Sequence, residues 1–213
     1  MKETIAYSIY GAPDVELSEA EIANLKYASQ YVKLKEQPRA MVVLGFDDNN
    51  DYHWLSGENE VIVTRYGRLI RTTGLAKDSS NVHYDIRHVK NTDSDPLVCW
   101  VQQSNYQSCP KTWSTEVEVG NGSQAKRYAL KTTIINTTED TITLQNGEQV
   151  NAIKVVESAT ATSSNKTHQF KNIFWLDKTK QRVLKSEQGL VPGFPFVKME
   201  ELKPYPKDLK VRQ

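Results

Sequence analysis

The sequence predicts a mainly β protein, with antiparallel meanders forming curved sheets or a partial barrel or sandwich, and one short helix near the N-terminus. Three observations carry this expectation. Val, Ile and Thr number 47 of 213 residues and ten Tyr join them, residue types that suit a pleated, half-buried surface. Short runs of these residues recur between turn residues at the spacing of a meander. Asn146-Gly147, flanked by such runs, is a strong short-range hairpin signal.

Taken in order, Leu17 to Leu25 reads as a short helix. Ser18 and Glu21 form a capping box, and Leu17 with Ile22 a hydrophobic staple. Tyr27 to Lys35 then reads as a strand that Gln37-Pro38 breaks. Arg39 to Phe46 is a continuous apolar run, expected to be buried on both faces and central. The polar turn Asp47 to Asp51 leads to a strand at Tyr52 to Ser56, and Val61 to Arg65 meets Arg68 to Thr72 across Tyr66-Gly67. A long connection is expected from Lys77 to Asp95. Cys99 to Val101 and Thr115 to Val119 read as strands around a loop holding Cys109-Pro110. Tyr128 to Asn136, Thr141 to Leu144 and Val150 to Glu157 form a hairpin series, and Ser158 to Lys166 reads as a loop. Phe170 to Leu176 and Arg182 to Ser186 pair across Asp177 to Lys180, and Lys203-Pro204-Tyr205-Pro206 ends the fold, since proline cannot donate to a ladder.

Composition and motifs narrow the function classes. With 27 Lys plus Arg against 26 Asp plus Glu, the chain lacks the positive excess of a protein that binds by neutralising phosphates, so no nucleic-acid partner is expected. Phosphate-binding glycine loops and a serine nucleophile elbow are absent from the sequence. Asp47, Asn49, Asp51 and Glu58 mimic the ligand spacing of a calcium loop, but Tyr52 stands where glycine is needed, so a solvated hairpin turn is the reading there. His83, Asp85 and His88 match no zinc spacing, and neither a metal nor another cofactor is expected. The two cysteines, Cys99 and Cys109, fit either one local disulfide or two thiols.

The ordered series Leu25-Lys26-Tyr27-Ala28-Ser29, Ala40 to Phe46, Trp54-Leu55-Ser56 and Val63 to Thr72 resembles the YjbF/GfcB family of outer-membrane lipoproteins. So do the later blocks Phe170 to Asp177, Lys185 to Gln188 and Met199 to Pro204. These lipoproteins accompany group 4 capsule, O-antigen capsule and exopolysaccharide genes. The resemblance implies a β-rich periplasmic body, residues 17–206, tethered to the outer membrane through a lipidated cysteine. Residues 1–16 would be an extended segment following a removed anchor, with Met1 replacing the signal peptide and cysteine, and residues 207–213 a polar tail. It further implies a non-catalytic role in capsule or exopolysaccharide secretion or assembly. The expected partners are an outer-membrane barrel protein, other polysaccharide-export proteins, and the capsular polysaccharide itself. No catalytic residue carries over. An oxidising periplasm makes a Cys99–Cys109 disulfide the expectation. Arg65, Arg68, Trp100 and Trp113 are the candidate contacts with an acidic polysaccharide or a partner, because guanidinium pairs well with carboxylate and indole gives a flat platform for a sugar.

Overall fold

The computed structural model describes residues 13–35, 37–57, 59–75, 85–120, 122, 125–164 and 166–213. Twelve strands among them form one antiparallel sheet: β1 Ser29–Leu34, β2 Ala40–Asp48, β3 Asp51–Leu55, β4 Val61–Arg65, β5 Arg68–Thr73, β6 Ile86–Val89, β7 Thr112–Val119, β8 Lys126–Thr143, β9 Gln149–Ser163, β10 Lys166–Asp177, β11 Val183–Gln188 and β12 Val197–Lys203. The order β5-β4-β3-β2-β1-β12-β11-β10-β9-β8-β7-β6 consists of two meanders joined where β1 pairs with β12. The edges β5 and β6 face each other without a ladder, so the sheet is a nearly closed barrel.

Side chains span that seam. Thr72 Oγ1 donates to Asp85 Oδ1 at 3.0 Å and accepts from Ile86 N at 2.9 Å, while Asp85 also takes the amides of Gly74 and Leu75. Two edges that would otherwise present unpaired backbone groups are thereby covered.

The wall has period-two burial, clearest in β7, β9 and β11. Its inner face holds the main core, including Val32, Val42, Trp54, Ile62, Val117 and Val197. Turns form where the residues tolerate positive φ. Asn49-Asn50 (φ 53° and 74°) and Tyr66-Gly67 (φ 47° and 80°) close two-residue hairpins. The acidic stretch at Asp47 to Asp51 is thus a hairpin turn, and Glu58 lies outside the described residues, as does His83. At Gly67 a Cβ would also lie 2.7 Å from the Val183 side chain.

Helix α1 (Glu19–Ala23) starts at the expected capping box: Glu21 N donates to Ser18 Oγ at 3.3 Å and Ser18 N to Glu21 Oε2 at 2.8 Å. Its Ile22, with Leu17, packs on Tyr31, Met41 and Leu202, covering the outer face where β1 meets β12.

Several elements differ from expectation. Cys99 to Val101 belongs to helix α2 (Pro96–Gln102), because Asp95 caps Leu97 N at 3.0 Å and Pro96 occupies the first turn. The connection expected over Lys77 to Asp95 contains β6 and a 3₁₀ turn at Thr92–Ser94; residues 76–84 lie outside the description. Ser158 to Lys166 is mostly strand. Ala159 and Ala161 face the barrel interior with no exposed surface, so their small size reflects crowding and not a loop. Tyr128 to Asn136 and Thr141 to Leu144 merge into the single strand β8. In the apolar run of β2 only Val42 is fully buried, and Phe46 is 54% exposed.

Of the expected N-terminal segment 1–16, only residues 13–16 are described; Asp14 pairs with Lys33 at 2.8 Å and Val15 N donates to Arg39 O. The expected polar tail docks on the body. Arg212 is buried, Gln213 N donates to Gln102 O, and Ser104 N donates to Gln213 O.

Thr72→Val keeps the packing of the seam but leaves the buried Ile86 amide without its acceptor. A loss of about 1–3 kcal/mol is expected, read as a lower urea midpoint at unchanged slope.

Candidate functional site

The Tyr66-Gly67 turn launches Arg68 into the barrel, where its side chain is 1% exposed. Nε and Nη2 donate to Asp95 at 2.7 and 3.1 Å, and Nη1 and Nη2 donate to Glu157 at 2.8 and 2.7 Å. The guanidinium lies 4.9 Å from the Phe174 ring and 5.3 Å from Trp113. Asn172 Nδ2 donates to Glu157 at 2.8 Å, and its Oδ1 accepts from Gly189 N. Burial pushes the Asp95 carboxyl up against the pull of Arg68. For Glu157, burial acts the same way but Arg68 and Asn172 outweigh it, holding the carboxyl below its usual value.

The candidate contacts are therefore relocated. Arg68 is an internal tie and cannot reach a polymer. Trp100 and Trp113 are 2% and 4% exposed, their indole N–H groups donating to Pro110 O and Asn91 O, so neither offers a platform. Only Arg65 approaches the surface, and it is engaged by Asp51 at 2.6 Å and by Asp93. Cys99 and Cys109 are joined in a disulfide that ties α2 to the following loop. Helix α2 seats Leu97, Trp100 and Val101 on the inner faces of β8, β9 and β10, against Ile134, Val155 and Phe174.

What the fold does bring together is a second cluster of charges that sequence reading missed. Arg182 donates to Asp177 at 2.8 Å, to Glu148 at 2.8 Å and to Glu201 at 3.0 Å. Asp177 Oδ1 also accepts from the amides of Thr179 and Lys180, which shapes the expected β10–β11 turn. Nearby, Tyr52 OH donates to Asp208 at 2.5 Å, and Lys207 pairs with Asp47 at 2.8 Å. Burial, with help from Asp208, Glu148 and Asp177, pushes Glu201 up to about 8 despite Arg182. Burial likewise raises Asp208 to about 6.

Tyr52, Trp54, Tyr66, Glu201 and Asp208 line a cleft whose free space is about 50 Å³. That is well below the ~300 Å³ at which small-molecule pockets begin, so the cleft suits a few waters and not a ligand. The two charge clusters were partly legible: Asp177 opens an Asx turn beside Arg182, and a charged Glu157 between inward Val155 and Ala159 breaks an apolar period-two row.

A family model described as the group 4 capsule polysaccharide lipoprotein GfcB, YjbF matches residues 2–202. The chain belongs to this family. The YjbF lipoprotein of Escherichia coli K12 is 29% identical over 198 residues, covering 92% of this chain and 84% of that relative. GfcB of the same strain is 28% identical over 206 residues, covering 97% and 90%. The crystal structure of the lipoprotein YmcC from E. coli K12 superposes with a TM-score of 0.76 at 26% identity, over 97% of both chains. The expected family and the mainly β fold are thus both found.

Arg68→Met strands two buried carboxyls, and chemical denaturation is expected to show a loss of about 3–5 kcal/mol. Glu201 and Asp208 have folded pKa values above their unfolded ones. Their contribution to stability is present in full below the unfolded values and is lost as pH rises through about 6 and then about 8. The thermal midpoint is therefore expected to fall between pH 5 and pH 9, with Glu201→Gln flattening the alkaline part of the slope.

Proposed function

We propose that this protein assists the secretion or assembly of capsular polysaccharide or exopolysaccharide without catalysing a reaction, as a lipid-anchored body on the periplasmic side of the outer membrane. The observation that carries the reading is the family match across residues 2–202 to lipoproteins described by their capsule polysaccharide. Two structural facts support it. Asp95 and Glu157 are committed to Arg68, and Asp177 and Glu201 to Arg182, as structural ties, and the cleft beside Glu201 and Asp208 is well below the size of a small-molecule pocket. Trp54, Trp100 and Trp113 are buried, and Trp175 is half-buried with its N–H bonded to Asp140, which weighs against a module that grips the polymer on exposed indoles. The protein then works through its outer surface, on export partners such as an outer-membrane barrel protein.

Deletion of the gene in its source strain is expected to lower surface polysaccharide without changing its sugar composition. A copy of the body carrying an outer-membrane lipid anchor is expected to restore it, and a copy kept in the cytosol is not. Normal surface polysaccharide in the deletion strain would overturn the reading.

A further inference from the structure

Strand β8 is paired on both sides only as far as Thr133, which meets Thr112 at the start of β7. Beyond it, Ile134 N donates to Lys111 O, a bulge follows between Ile134 and Asn136, and the strand continues to Thr143 against β9 alone. Leu144 N donating to Glu148 O sets the phase of this ladder. Asn136, Thr138, Asp140 and Ile142 turn their backbone groups toward β9, whereas Thr137, Glu139 and Thr141 turn theirs outward. Among the described residues nothing bonds those outward groups. The loop pinned by the Cys99–Cys109 disulfide runs alongside. Tyr106, Gln107 and Lys111 form one side of a trough and Thr137 to Glu139 the other, enclosing about 520 Å³, within the usual range of binding pockets. Ile135, beside the bulge, is 52% exposed.

We propose that this open edge of β8 is a docking site for an extended, basic polypeptide segment of another protein, which adds a strand to the barrel wall along Thr137 to Thr141. Main-chain hydrogen bonds to the outward groups would supply affinity, and side chains alternating into the trough would supply specificity. Charge selects the occupant. Residues 135–143 carry two acidic side chains, Glu139 and Asp140, and no basic one. Glu139 is 68% exposed, and its pair with Lys178 is a surface contact of the kind that contributes little. A second copy of this chain would bring its own acidic pair and its own disulfide loop to the same trough. A strand with lysine or arginine opposite Glu139 and Asp140 meets neither obstacle. The inference concerns a protein surface and does not depend on the role in polysaccharide export.

The probe is a fluorescein-labelled nonapeptide alternating valine and threonine, with two adjacent lysines at its centre, titrated into the full chain and followed by anisotropy. Saturable binding is expected, with the peptide carrying glutamates in place of the lysines about tenfold weaker. Glu139→Lys should reverse that preference. Thr141→Pro removes one outward N–H while sparing the β9 ladder, so binding should be lost with the thermal midpoint nearly unchanged. Absence of binding by the lysine peptide at about millimolar concentration, or binding indifferent to both substitutions, would overturn the proposal. Dimerisation of the chain in sedimentation that Thr141→Pro abolishes would overturn it as well, because the occupant would then be a second copy.

Discussion

The ion tie of Arg68 to Asp95 and Glu157 is the constraint around which the interior is arranged. It joins three pieces distant in sequence: the first residue of β5, the N-cap of α2 and the middle of β9. A charge at 1% exposure is tolerable only when its hydrogen bonds are made, so these three must arrive together. Asp95 does two jobs there, accepting from Arg68 and capping Leu97 N, which couples the placement of α2 to the pairing of the guanidinium. Asn172, on β10, extends the tie to Gly189 just after β11. Such a network contributes little net stability compared with apolar packing, but it penalises every arrangement in which one member is missing.

The barrel closes by unequal means around its circumference. Between β1 and β12 the two meanders meet in a backbone ladder, irregular only at Ser29–Gln30, sealed outside by α1. Between β5 and β6 there is no ladder, and Thr72 with Asp85 substitutes side-chain bonds for backbone ones. The second guanidinium, Arg182, gathers Glu148 from the β8–β9 turn, Asp177 from the end of β10 and Glu201 from β12. Arg68 and Arg182 thus each hold a cluster of carboxyls brought from separate parts of the chain.

An interior so committed leaves the outer surface of the barrel as the part free to contact other molecules. Long hairpins carry β8 beyond the partner it has in β7, and a disulfide holds the neighbouring loop at a fixed distance from that free edge. Rigid walls flanking unpaired backbone are the condition for strand addition, since the order is already present before a partner arrives.

The amino-acid sequence determined the local grammar of this molecule. The capping box at Ser18 and Glu21, the positive-φ turns at Asn49-Asn50 and Tyr66-Gly67, the Asx turn at Asp177 and the alternating strands all follow from bonds or steric limits within a few residues. The family blocks carried the mainly β body as well. Some local signals were present but competed with others: Asp95-Pro96 announces α2, yet the apolar Leu97 to Val101 run also suits a strand, and small inward Ala159 and Ala161 resemble a loop until the crowded barrel surrounds them. Whether an arginine or tryptophan lies inside or outside was decided only by tertiary structure. Arg68 sits one residue past a surface turn and becomes buried because Asp95 and Glu157, 27 and 89 residues away, come to meet it. No spacing along the chain encodes that encounter, because the sheet order that produces it is a property of all twelve strands together.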